Sequence, residues 1–159
     1  MRISHAEHNG IAIHYYDTID ESDPERTPLV ICPGLSETAE EYFDLAEAAL
    51  PARCIALSFR GRGRSATANI RPVAVTGIQR DSARIDLESP LAMPVFVARG
   101  LREGSLVTDD DLARYKRMCR DLAIAEYPRS GHSLKGADKE IFYGDMIRFL
   151  ERNDRKGKP

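Results

Sequence analysis

Two short apolar runs, each followed by a glycine-containing turn, constrain the fold of this chain more than any other feature. The runs are residues 94–98 and Leu122–Tyr127. The first turn carries Glu103, and the second carries His132 directly after Gly131. In an open α/β sheet, functional groups gather beyond the carboxyl ends of the strands. A carboxylate and an imidazole in such turns are typical of a general base and the acid that orients it.

Further strands and helices alternate along the chain. Strands are predicted at 3–7, 10–17, 28–34 and 54–59, and helices at 36–50, 75–86, 108–119 and 139–152. The run at 28–34 is of the kind buried on both faces of a parallel sheet. Three aspartates, 109–111, favour a helix start because negative charge stabilises the amino-terminal end of a helix. The alternation predicts an α/β fold with a mostly parallel sheet flanked by helices.

Length and composition limit the function classes. At 159 residues, we expect one domain over 1–153 and a disordered basic tail over 154–159. A net charge of -2 gives no electrostatic reason to expect nucleic acid or an anionic membrane as a partner. No run is long enough to span a membrane and no signal peptide is evident, so a cytoplasmic location is predicted.

No pattern in the sequence indicates a cofactor or a metal. The chain has no glycine-rich phosphate loop before a helix, and its histidines and cysteines lack metal-ligand spacing. The three cysteines are predicted to be reduced, packed thiols, since they are widely spaced and odd in number: Cys32, Cys54 and Cys119.

The order of these motifs resembles that of the α/β-hydrolases. That family commonly has a His-Gly turn after its third strand, where this chain has Pro33-Gly34. It also has an Arg-Gly-x-Gly-x-Ser loop after the fourth strand, which is matched here by Arg60, Gly61, Gly63 and Ser65. The acid and histidine turns of the family match Glu103 and the Ser-Gly-His sequence that ends at His132.

The resemblance implies an activity and a set of roles. It implies carboxylic-ester hydrolysis of a small ester or acyl substrate, with His132 as the base and Glu103 as the orienting acid. It also implies that the turn at Gly34 and the backbone N–H of Leu35 contribute to an oxyanion hole. The resemblance covers residues 10–65 and 77–151, which together make up most of the chain.

The nucleophile of the family is missing from this sequence. A G-x-S-x-G elbow is expected between the two matching blocks, but residues 66–76 are too few for a strand, an elbow and a helix. Residues 131–136, GHSLKG, look like an elbow, yet Lys135 stands where a small residue is required, so Ser133 is a nucleophile candidate out of context. We therefore expect a truncated α/β-hydrolase with weak or absent activity.

The alternative is a non-catalytic binding or assembly module built on the remnant fold. Loss of central strands would leave strand edges that the chain must close by itself or with a second copy. Exchange of the carboxyl-terminal block between two chains would do so, and it predicts a homodimer.

The remaining polar residues are predicted to be structural. Either Ser36 or Thr38 is expected to cap the following helix, and Ser65 is expected to be a loop hydroxyl. The arginines of residues 60–71 are expected to lie in a solvated loop. Three histidines are predicted to lie on strand surfaces or in solvent: His5, His8 and His14.

Overall fold

The chain folds into two compact units, Met1–Ala83 and Arg84–Pro159. The structure, a computed structural model, describes residues 1–8, 11–34, 37–59, 61–65 and 89–156. The helix predicted at 75–86 lies outside these ranges, and the single domain stays a prediction. No helix in the described ranges combines the length and the apolar character needed to cross a membrane.

The first unit contains a four-stranded sheet. Its strands are β1 (Arg2–His8), β2 (Ile11–Asp17), β3 (Leu29–Ile31) and β4 (Cys54–Ser58). Their spatial order is β1-β2-β4-β3. β2 runs antiparallel to both β1 and β4, whereas β3 and β4 are parallel. The sheet is therefore mixed rather than mostly parallel, since strands joined by a tight connection, such as β1 and β2, can pair only in the antiparallel direction.

One face of this sheet is covered by a short helical segment. A single 3-10 turn, Ala39–Tyr42, leads into helix α1 (Phe43–Ala48). Thr38 precedes the turn and forms a capping box with Glu41, so Thr38 is the cap, and Ser36 lies outside the described residues. The core of this unit combines alternate residues of β4 with small and apolar residues of the helical segment: Cys54, Ala56, Ala39, Leu45 and Ala46.

The second unit contains two parallel strands and two helices. The strands are β5 (Val95–Gly100) and β6 (Leu122–Tyr127), and the helices are α2 (Asp109–Met118) and α3 (Lys139–Lys156). β5 and β6 pair in register along their whole length. A parallel pair requires a crossover, which α2 supplies. These predicted elements are confirmed, and α3 continues through 154–156, the first three residues of the predicted tail.

Helix α2 begins at a capping box. Thr108 Oγ1 accepts a hydrogen bond from the Asp111 amide at 3.2 Å, and the Thr108 amide donates to Asp111 Oδ2 at 2.9 Å. Asp109 accepts a hydrogen bond from Arg99 of β5 at 2.6 Å. The predicted acidic helix start is therefore confirmed, and it ties the crossover helix to the strand that carries the acid turn.

Candidate active site

The turns that follow β5 and β6 are joined through their backbones. The Leu101 amide donates to the Tyr127 carbonyl at 3.0 Å, and the Arg102 amide donates to the Ser130 carbonyl at 2.9 Å. Glu103 and His132 belong to these two turns. The structure therefore brings the predicted acid turn and the predicted histidine turn together, as the carboxyl ends of two adjacent parallel strands require.

Two glycines allow this close approach. A Cβ atom on Gly100 would lie 2.1 Å from the Gly131 carbonyl oxygen, and one on Gly131 would lie 2.6 Å from the Glu103 carbonyl oxygen. Both distances are far below van der Waals contact, and both involve backbone that cannot move aside without shifting a turn. A side chain at either position would separate the acid turn from the histidine turn.

The side chains of Glu103 and His132 are exposed. In the ranges that the structure describes, neither side chain makes a hydrogen bond or an ion pair. The two backbones are thus in contact, while the carboxylate–imidazole hydrogen bond of an acid–base pair is not formed. Such bonds often form only when substrate is bound.

The loop that presents His132 is held by a buried carboxylate. Asp138 directly precedes α3 and is 1% exposed. Its carboxylate accepts hydrogen bonds from the Arg129 amide at 2.9 Å, from Arg129 Nε at 2.8 Å and from Ser130 Oγ at 2.8 Å. Burial opposes ionisation, but the hydrogen bonds from Arg129 and Ser130 outweigh it and lower the pKa of Asp138.

Sequence reasoning did not identify Asp138. The available signal was an acid at the position of a helix cap, preceded by an arginine and a serine at the end of a strand. That pattern has no fixed period, because the partners lie in a loop.

Ser133 does not have the geometry of a nucleophile elbow. It lies within the loop of residues 128–138 rather than on a sharp turn from strand to helix. Its side chain is exposed, and its Oγ accepts a hydrogen bond from the Lys135 amide at 3.4 Å. Among the described residues, that hydroxyl has no hydrogen bond to an imidazole.

The turn after β3 belongs to the first unit and carries Gly34. The Gly34 amide donates to Glu37 Oε2 at 2.9 Å, and a Cβ atom on Gly34 would lie 3.1 Å from the same oxygen. Leu35, the other predicted oxyanion residue, lies outside the described ranges. A carboxylate next to this turn is unfavourable for a developing oxyanion, because like charges repel.

A second group of polar side chains, buried except for the half-buried Glu40, lies in the first unit, and we call it the His14 cluster: His14, Tyr16, Glu40, Ser58 and Ser65. Ser65 Oγ accepts a hydrogen bond from the His14 amide at 2.8 Å, and Ser58 Oγ accepts one from the Ala39 amide at 3.0 Å. Tyr16 Oη donates to Glu40 Oε1 at 3.1 Å. Ser65, expected to be a plain loop hydroxyl, is thus a buried link between β2 and the loop after β4.

The prediction that His14 lies on a surface is wrong. The residue is 7% exposed. Among the described residues, both ring nitrogens of His14 and Glu40 Oε2 are buried without a hydrogen-bond partner. Burial lowers the pKa of His14 although Glu40 acts in the opposite direction, so the ring is held in its neutral form.

The cysteines are free thiols, as predicted, but they are not all packed. Cys54 and Cys119 are buried, and burial raises the pKa of Cys54 to about 11. Cys32 is exposed, because β3 ends at Ile31 and the chain leaves the sheet there. Within the described ranges, no group of three or more potential ligand residues could hold a metal ion.

Comparison by sequence gives no match to a protein-family model and none to a curated protein. Comparison by structure gives several matches. A proline iminopeptidase from Mycobacterium smegmatis is similar over 99% of this chain and 100% of that chain, with a TM-score of 0.71 and 10% identity.

Two further structures are similar to this chain. An alpha-beta serine hydrolase homologue from Coxiella burnetii matches with a TM-score of 0.63 and 12% identity, over 94% of this chain and 97% of that chain. A CIB-like hydrolase from Thermoplasma acidophilum matches with a TM-score of 0.63 and 14% identity, over 95% and 98% of the two chains. Similarity at such identities establishes the fold and nothing beyond it. The chain has an α/β-hydrolase-like fold.

Proposed function

We propose that this protein is an α/β-hydrolase of the carboxylic-ester hydrolase type whose activity is weak or lost. In this proposal His132 is the general base and Glu103 the acid that orients it. The observation that carries the proposal is the backbone contact between their two turns, which Gly100 and Gly131 allow. This contact supports a common site for a carboxylate and an imidazole on exposed turns.

The missing nucleophile determines what such a site can do. In a complete ester hydrolase, a serine hydroxyl gives its proton to the imidazole and attacks the substrate carbonyl, and the carboxylate stabilises the imidazolium. Without that serine, His132 can still take a proton from water that attacks an activated ester. The amide that follows the nucleophile is also absent, and losing one oxyanion donor costs roughly a hundredfold or more in kcat.

The turn at Gly34 supports weak rather than efficient hydrolysis. Its amide is already engaged by the Glu37 carboxylate. An oxyanion at this turn would have to displace a negative group or approach it, and either event opposes transition-state stabilisation. Replacing Glu37 by glutamine would relieve that repulsion, so we expect Glu37→Gln to raise any residual ester hydrolysis.

The test is hydrolysis of p-nitrophenyl acetate by the wild type, His132→Ala and Glu103→Gln. We expect slow hydrolysis that falls to the buffer rate in His132→Ala and falls less in Glu103→Gln. His5→Ala is the matched control, because His5 is an exposed histidine on β1 with no proposed role. Equal rates in the wild type and His132→Ala, both above the buffer rate, would reject the proposal.

Ser133 can be examined in the same assay. The proposal assigns no role to its hydroxyl, so Ser133→Ala should hydrolyse the ester at the wild-type rate. A loss as large as that of His132→Ala would identify Ser133 as a nucleophile and reject the claim that this site lacks one.

The second candidate function is assembly through strand pairing. In the described part of the chain, the sheet of the second unit has two strands, and β5 and β6 pair only with each other. Two strands make a marginal sheet, and an open edge is a ready template for another strand. A homodimer is expected from this candidate at micromolar concentration in light scattering, and a monomer would contradict it.

A further inference from the structure

A continuous path of hydrogen bonds connects Asp138 with the acid turn. The Asp138 carboxylate accepts from Ser130 Oγ, and the Ser130 carbonyl accepts from the Arg102 amide. Arg102 immediately precedes Glu103, and Ser130 immediately precedes Gly131 and His132. Asp138 thus acts on Ser130, whose carbonyl binds the acid turn and which lies directly before the Gly131–His132 turn.

We infer that Asp138 is the positioning residue that holds the histidine turn against the acid turn, an inference that rests on the proposed roles of His132 and Glu103. Arg129 completes the arrangement, since it binds Asp138 through both its amide and its side chain. Two consecutive residues of the loop before His132, Arg129 and Ser130, thereby bind this loop to the start of α3.

The arrangement requires a carboxylate and not merely a polar side chain. Ionised aspartate is a pure acceptor, and here both of its oxygens receive hydrogen bonds from donors. Asparagine has nearly the same shape, but its NH₂ group would face one of these donors. Whichever way the amide is turned, Asp138→Asn loses at least one hydrogen bond and the negative charge that strengthens the others, so it weakens the positioning function while changing little in volume.

The second unit provides an internal reference and a matched control. The Leu101 amide lies in the same turn as the Arg102 amide, but its acceptor is the carbonyl of Tyr127, the last residue of β6, rather than the Ser130 carbonyl. Asp145 lies on α3, the helix that Asp138 precedes, and its Oδ2 accepts a hydrogen bond from Tyr127 Oη at 2.9 Å. Asp145→Asn therefore perturbs a half-buried hydrogen bond of α3 while leaving the Asp138 carboxylate and its three donors in place.

The experiment measures amide hydrogen exchange at Arg102 and Leu101 by NMR, together with the ring ¹⁵N signals of His132. In Asp138→Asn we expect the Arg102 amide to exchange at least about tenfold faster while Leu101 is unchanged, because only the first amide depends on the Ser130 anchor. The His132 ring signals should move as its turn shifts. Asp145→Asn should leave the ratio of the two exchange rates and the His132 signals as in the wild type.

Two results would overturn the inference. One is an Arg102 amide that exchanges in Asp138→Asn as it does in the wild type. The other is equal acceleration at Arg102 and Leu101 with unmoved His132 signals, which would show a general loss of stability. If Asp138→Asn does not fold, Ser130→Ala carries the test, because it removes the Ser130 link and leaves the Arg129 bonds in place.

Exchange is measured without substrate, so this result is independent of the hydrolysis assay. Hydrolysis that does not depend on His132 rejects the proposed function. Unselective exchange rejects the positioning role of Asp138.

Discussion

The Asp138 cluster of the second unit (Arg129, Ser130 and Asp138) and the His14 cluster of the first unit are each centred on a buried titratable side chain, but their hydrogen bonding differs. Asp138 receives hydrogen bonds on both carboxylate oxygens. The imidazole of His14 receives none on either nitrogen from the described residues, although its ring lies 5.0 Å from that of Tyr16 in an edge-on contact.

This difference sets the charge state of each group. Donors around Asp138 hold it ionised, whereas burial without partners holds His14 neutral. A satisfied network stabilises one unique arrangement, and an unsatisfied one reduces stability by the desolvation of its polar atoms. The two clusters should therefore respond in opposite ways to substitution and at different pH values.

The largest effect is expected for Asp138→Ala. This change removes the carboxylate and leaves the Ser130 hydroxyl, the Arg129 amide and Arg129 Nε without that acceptor, although Arg129 Nη2 keeps its bond to the Ala137 carbonyl, so we expect Tm to fall by roughly 10 °C. Asp110→Ala, an exposed acid in the first turn of α2, is the control and should change Tm little. A similar Tm for both variants would mean that the Asp138 cluster does not stabilise the fold.

A smaller effect is expected for Tyr127→Phe. The Tyr127 hydroxyl is buried and donates to Asp145 Oδ2, and burial together with that bond raises the pKa of the phenol. Removing a hydrogen bond to a charged acceptor should lower the free energy of unfolding in urea by about 1.5 kcal/mol. Tyr115→Phe is the control, because the Tyr115 hydroxyl makes no hydrogen bond within the described ranges. Equal losses in the two variants would contradict the expectation.

The opposite sign is expected for His14→Leu. Leucine has about the volume of histidine and removes two buried nitrogens without partners. At a pH where the imidazole is neutral, we expect the substitution to stabilise the protein by about 1 kcal/mol in urea unfolding. His5→Leu is the control for replacing a histidine by leucine in this strand pair, since His5 is exposed and lies opposite His14 in the β1–β2 pair. Destabilisation by His14→Leu alone would show that the imidazole is satisfied.

The smallest effect is the pH dependence of stability. The pKa of His14 is lower in the folded state than in the unfolded state, so the unfolded state binds more protons as the pH falls through the histidine range near 6.5. The contribution of His14 to stability is then full above about pH 7.5 and decreases as the pH falls to about 5.5. His14→Leu should reduce this slope, whereas Asp138→Asn should not.

The pKa of Asp138 sets a different window. It is lowered by folding, so its contribution is present above the unfolded aspartate pKa, near 4, and is lost as the pH falls through the folded value.

If the pH dependence of stability between about pH 7.5 and about pH 5.5 is unchanged in His14→Leu, that result would contradict the assignment to His14.

Local patterns in the sequence predicted most of the second unit. The apolar runs became β5 and β6, and the acidic start at Asp109 became the first turn of α2. That the two turns meet at one edge of the sheet followed from strand direction. These features depend on neighbouring residues and on the geometry of one parallel pair, so the sequence carries them directly.

Features that depend on distant residues were not predicted. His14 is buried by its contacts with Tyr16, Ser65 and the segment around Glu40, and no periodicity in β2 indicates that cover. The mixed direction of the first sheet depends on which strands become neighbours. The role of Asp138 depends on a loop whose partners have no regular spacing.

The central claim is that this α/β-hydrolase-like fold retains the acid and histidine turns but has no activated nucleophile. The most direct test is intact-mass spectrometry of the wild type and His132→Ala after incubation with a fluorophosphonate, with a serine esterase in a parallel reaction as the control for the probe. We expect that neither protein gains the mass of the probe while the esterase does. A single adduct on the wild type that disappears in His132→Ala would show that an activated serine exists, and peptide mapping would then identify it.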